Sequence, residues 1–204
     1  MEERELTEKE SLTLISQMIQ NTQNKIIRNQ GTPFLIWGYG VTITSLAVWL
    51  LVRLTGNMSW NFLWFAPSAV CYPLMAVFTR RQERQQTITT YVDRVINYIW
   101  ATFGIAEGVA TIAMFISGFA LGASFPIFYI TMLLLGTAIT LTGLVIRFRA
   151  IILGGAAALA LSFAFLFLHS ASDIYLIFAL AMIVTMVIPG HILNHKARKQ
   201  CSER

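Results

Sequence analysis

The sequence is poor in charge. Asp, Glu, Lys and Arg make up 12% of its 204 residues, about half the usual share of a soluble domain, which is roughly 25%. A water-soluble globule of this length has too little polar surface at that composition, so hydrocarbon is the expected solvent. Acid is scarcest, with 10 acidic against 15 basic residues. Cysteine is nearly absent. Cys71 lies in an apolar run and Cys201 in a basic tail, so no disulfide framework is expected. Signatures of soluble enzymes are also missing: there is no G-x-x-x-x-G-K-[ST], G-x-S-x-G, H-E-x-x-H or C-x-x-C. Together these absences point away from an enzyme, a structural metal site or a cofactor site. The opening MEERELTEKE lacks the basic and apolar regions of a cleaved signal peptide, so the first apolar run is expected to stay as an anchor.

Long apolar runs are abundant, and 56% of the chain is hydrophobic. About 20 apolar residues cross a bilayer core. Six such runs are expected, over about 34–52, 60–78, 96–119, 127–146, 150–168 and 174–193. The expected fold is therefore all-α, a polytopic bundle of six membrane helices, preceded by an amphipathic helical domain over 1–33 and followed by a basic tail over 194–204. Only short loops remain, so no separate soluble domain fits.

The amphipathic helix is read over residues 7–30. Thr7 and Glu10 form a capping box. Leu12, Ile15, Ile19 and Ile26 recur at helical spacing. Gly31 and Pro33 are expected to stop the helix. Its polar face carries few cations, which argues against a helix lying alone on lipid. The stripe is read either as a docking face for a cytoplasmic protein or second copy, or as a face folded under the bundle.

Basic residues set the orientation. Arg4, Lys9, Lys25 and Arg28 precede the first span. Arg80, Arg81, Arg84 and Arg94 lie between the second and third, and Arg147 and Arg149 between the fourth and fifth. Lys196, Arg198, Lys199 and Arg204 follow the sixth. With six spans, fourteen of the fifteen cations share one side and only Arg53 lies opposite. Both termini are thus expected in the cytoplasm. Cations placed this way report topology, and direct nucleic-acid binding is not expected. The turn between the fourth and fifth spans has no turn-forming residue. The polar stretch around 80–94 is expected to be helical along the membrane surface. Pro67 and Pro73 are expected to kink the second span.

Glu107 is the one charged residue well inside an expected span. A charge at mid-bilayer costs roughly 3 kcal/mol or more, so this group should be protonated, paired or facing water. It is read either as a proton or cation site or as a structural carboxyl bonded to a neighbouring helix. Gly104 and Gly108 flank it in a G-x-x-x-G, which favours close helix packing. Gly118 and Gly122, and Gly154 with Gly155, are further packing candidates within or between subunits. His191 and His195 share one helical face, and His169 and Asp173 share a loop. Neither pair has a third ligand, so no metal site is assigned. Ile36-Trp37-Gly38-Tyr39 and Ile99-Trp100-Ala101-Thr102-Phe103-Gly104 each open an outward span, a short hint of a parallel repeat.

Four stretches carry a resemblance: Thr7-Glu8-Lys9-Glu10-Ser11-Leu12, Ile36-Trp37-Gly38-Tyr39, Leu141-Thr142-Gly143-Leu144-Val145-Ile146-Arg147-Phe148 and Pro189-Gly190-His191-Ile192-Leu193. The chain resembles a group of uncharacterised multi-pass inner-membrane proteins of Bacteroidetes-type bacteria, over most of its length. That implies a bacterial cytoplasmic membrane and supplies no activity, cofactor or site residue. Two function classes follow from the residues: a non-enzymatic protein acting through interaction, or a small transporter or channel using Glu107. The partners expected are membrane lipids, and a cytoplasmic protein or second copy at the N-terminal helix.

Overall fold

A computed structural model describes the backbone of residues 8–85, 91–122, 125–168 and 171–202. It describes the side chains of 31–81, 91–118, 120–122, 125–168 and 173–196. Every element in it is helical, and no strand occurs among the described residues. The elements are α1 (Glu8–Thr55), a 3₁₀ segment (Met58–Phe65), α2 (Ala66–Gln85), α3 (Tyr91–Leu121), α4 (Ile127–Ile146) and α5 (Arg149–Phe167). They are followed by α6 (Ala171–Met182), a π-helical segment (Ile183–Val187) and α7 (Ile188–Ser202). Six stretches are long and apolar enough to cross a membrane: Gly31–Thr55, Met58–Arg81, Tyr91–Gly118, Ile127–Ile146, Arg149–Phe167 and Asp173–Lys196. The chain is a multi-pass, all-α membrane bundle.

The helix stop expected at Gly31 and Pro33 does not occur. α1 runs unbroken through both for 48 residues, about 72 Å at 1.5 Å per residue. Proline holds φ near the helical value and forfeits one hydrogen bond, a loss that membrane helices tolerate. Gly31 marks a close approach instead, since a Cβ there would strike the Asn194 side chain of α7. Farther along, Gly38 faces Val187 and Met186, and Gly190 faces Leu35 and Phe34. α1 is thereby seated against the π segment and α7 through small residues on both partners.

α1 ends at Gly56, whose φ of +65° suits a residue without a Cβ. Gly56 N–H donates to Val52 O at 2.8 Å. The Asn57 carboxamide oxygen then accepts from Ser59 N–H at 2.9 Å and starts the 3₁₀ segment. The second span changes from 3₁₀ to α at Ala66, so Pro67 falls in the first turn of α2, where a missing donor costs least. Pro73 alone lies inside that helix. The polar residues after this span form no separate surface helix in the described part. α2 carries Arg80 and Arg81 on to Gln85, and α3 begins at Tyr91 with Arg94.

α4 and α5 form the tightest pair. A Cβ at Gly136 would stand 2.8 Å from Leu159 N, one at Gly143 2.7 Å from Ile152 N, and one at Gly155 2.6 Å from Thr140 N. The two backbones approach closely along the hairpin. Its turn is Arg147, in the left-handed region at φ 54°, ψ 43°, which costs a residue other than glycine about 1–2 kcal/mol. Phe148 N–H closes the turn onto Gly143 O at 3.0 Å.

The sixth span is interrupted by the π segment ahead of Pro189. Pro189 has no N–H for Thr185 O. That carbonyl would lie 2.9 Å from a Cβ at Gly154, so α5 presents bare backbone where the helix is irregular. The core gathers Phe34, Met132, Ile139, Ile151, Phe165, Phe178, Met186 and Leu193 between α1, α4, α5 and the sixth span. The segments around Trp37 and Trp100 hold unlike places. The first lies in the centre of the bundle. The second lies in α3, whose apolar window is only 6% buried.

Candidate functional site

Glu107 sits midway along α3 and points to α4. The Thr131 hydroxyl, in the second turn of α4, donates to Glu107 Oε1 at 2.6 Å. The second oxygen, Oε2, is buried and has no hydrogen-bond partner. A charge held this way in hydrocarbon is costly, because a single hydroxyl donor offsets little of its lost hydration. The carboxyl has one fixed oxygen and one free one. It can bind or release a proton, or lend a lone pair to a cation that reaches Oε2.

The glycines beside it do not form the contact that their spacing suggests. A Cβ at Gly104 would find only Tyr72 Oη, at 3.9 Å, and one at Gly108 or Gly118 would meet nothing within 4 Å. Within one chain these glycines are not a helix-packing face, because Glu107 turns toward α4 while Gly108 is exposed on another side of α3. Gly122 also meets nothing and has φ +61°; it terminates α3 as a turn glycine. Gly154 and Gly155 do lie at close approaches, against Pro189 with Thr185 and against Thr140.

The π segment, α1 and α7 bring together another pair. Tyr39 Oη and His191 Nε2 are 2.7 Å apart, with the rings edge to face. His191 thus has a protein partner. Among the described residues no three His, Cys, Asp or Glu side chains lie together as a metal site. His169 lies outside the described residues. Asp173 faces Arg53 at 3.5 Å. Cys71 is buried as a free thiol against Gly40, and the side chain of Cys201 lies outside the described residues. So do the side chains of Leu12, Ile15, Ile19 and Ile26, although their backbone belongs to α1.

A polar ladder lies toward the Arg53 end. Ser45 Oγ donates to Tyr175 O at 2.6 Å, Tyr175 Oη donates to Asn61 Oδ1 at 2.7 Å, and Asn61 Nδ2 donates to Met58 O at 2.9 Å. It ties α1, α6 and the 3₁₀ segment together. Most remaining buried hydroxyls are spent on their own helices. Thr42, Thr142 and Thr185 each donate to the carbonyl four residues earlier. Sequence reading singled out neither Thr131 nor the Tyr39–His191 pair. Both are long-range partners in ordinary apolar runs, and neither leaves a local signal.

The fold and the site define a multi-pass helical membrane protein with one intramembrane carboxyl. No family model matches the sequence, and no curated protein or solved structure matches it.

Proposed function

We propose that this is a non-enzymatic protein of a bacterial inner membrane that acts by holding a cytoplasmic protein on the N-terminal part of α1. The observation carrying this reading is the continuity of α1. Residues 8–30 extend the helix about 35 Å beyond the span that begins at Gly31. The same rod then passes into the bundle and packs on α7, the π segment and α6. A partner seated on the arm would be mechanically joined to the membrane domain. The cytoplasmic placement of both termini rests on the fourteen cations of that side.

The experiment compares the full chain with a chain lacking residues 1–30, crosslinked in cells and purified in detergent. The expected result is loss of the crosslinked protein with an unchanged monodisperse bundle. Retention of every crosslinked protein by the shortened chain rejects the reading.

A second reading has its own observation, the partnerless Oε2 of Glu107. In it the chain is a small transporter or channel, and Glu107 exchanges a proton or binds a cation. Proton flux into vesicles reconstituted with the protein should then fall to background in Glu107→Gln. Equal flux in both proteins removes this reading.

A further inference from the structure

The end of the bundle where α1 enters carries positive charge on the α4–α5 turn and on α7. Arg147 and Arg149 flank Phe148 in the α4–α5 turn, and all three lie at the rim between two spans. Phe148 is buried, whereas both arginines are exposed. Lys196 of α7 places its ammonium 5.2 Å from the centre of the Phe148 ring. Lys196 thus lies over the aromatic side chain that the two exposed arginines flank along the chain. Between residues 127 and 202 the only acid is Asp173, and it faces Arg53 at the opposite end.

We infer that Arg147, Arg149 and Lys196 bind the phosphate of an anionic lipid headgroup at this rim. Guanidinium groups match phosphate oxygens through paired N–H donors, and an ammonium adds a point charge. Basic sites between membrane helices take such headgroups. The turn is a firm platform for the task. Phe148 N–H is bonded to Gly143 O, and Ile151 and Ile152 N–H are bonded to Phe148 O at 3.2 Å. Arg147 occupies the one left-handed residue position outside glycine among the described residues. Glycine or asparagine fits that conformation more cheaply, so an arginine there keeps its charge at a conformational cost. Beneath the turn, Leu141, Leu144 and Leu153 are exposed on α4 and α5, a surface for the acyl chains of the same molecule. These leucines favour a lipid over free phosphate.

The full chain is purified in a neutral detergent, and its thermal unfolding is followed with added phosphatidylglycerol, phosphatidylcholine or inorganic phosphate. Phosphatidylglycerol should raise the midpoint by about 3–6 °C for a roughly tenfold-saturating site. Phosphatidylcholine and inorganic phosphate should not. The combined variant R147Q/R149Q/K196Q should lose the rise, and R80Q/R81Q should keep it. Arg147→Gly relieves the left-handed arginine, so it should unfold no earlier than the parent in phosphatidylcholine and still lose most of the rise. Native mass spectrometry gives a second readout, with at least threefold less phosphatidylglycerol retained by Arg147→Gly. An undiminished rise or undiminished retention in Arg147→Gly overturns the inference. So does an equal effect of inorganic phosphate.

Discussion

The α4–α5 hairpin and the second and third spans are all apolar enough to cross a membrane, yet they are held in different ways. In α4 and α5, 39% and 33% of the most apolar stretch is buried within the chain; in the second and third spans the figures are 11% and 6%. Lipid removes most of the hydrophobic drive for helix association, so close backbone approach and specific polar contacts decide which helices pack. Gly136, Gly143 and Gly155 each face a neighbouring backbone, whereas Gly108 and Gly118 face nothing. A glycine pair spaced four apart is thus no packing signal by itself; the partner surface must be shaped to receive it. α3 is held by fewer contacts. Trp100 meets Phe34 edge to face, Phe115 stacks on Phe65, and Glu107 takes the Thr131 hydrogen bond.

That contrast can be broken most sharply at the glycines. Gly155→Leu should destabilise the bundle by on the order of 3 kcal/mol, since overpacking against fixed backbone allows little relief. Gly108→Leu should change the thermal midpoint in detergent very little. Equal losses in the two variants would mean that the hairpin is no tighter than α3.

Next in size is the Glu107–Thr131 tether of α3. Thr131→Val should cost about 1–2 kcal/mol, because it leaves both Glu107 oxygens without a donor. It should also raise proteolysis or hydrogen exchange in α3 more than in α5. A loss spread evenly over all six spans would show that the tether is not local. Tyr39→Phe removes the bond to His191 and should cost less than about 1 kcal/mol, because both groups are exposed. Smallest of all, Arg53→Gln should shift stability by no more than about 0.5 kcal/mol, as its pair with Asp173 is long and solvent-facing. A larger shift that vanishes in high salt would give this end of the bundle an electrostatic clamp.

Much of the architecture is legible in the chain before any coordinates. The fourth span was read over 127–146 and α4 occupies Ile127–Ile146, because Pro126 and Arg147 bracket an uninterrupted apolar run. The break between the first two spans is legible as well, with Gly56 between two such runs. The end of the first helix was misread. Gly31 and Pro33 carry the local marks of a stop, but the contact that gives Gly31 its role comes from Asn194, far along the chain. The fourth-to-fifth boundary had no turn residue to find, because an arginine occupies the left-handed position. At the candidate site, Glu107 stood out by its charge alone. Its hydrogen-bond partner did not, since a threonine inside an apolar span has many ways to satisfy itself on its own helix.

Composition and the spacing of apolar runs were enough to establish a six-span helical membrane chain, because hydrocarbon forces each backbone segment to satisfy its own hydrogen bonds as a helix. Which helices touch, which glycines serve as notches and which carboxyl oxygen is left over were decided only when distant segments met. Those outcomes depend on shape complementarity between two surfaces, and no single stretch of chain contains both.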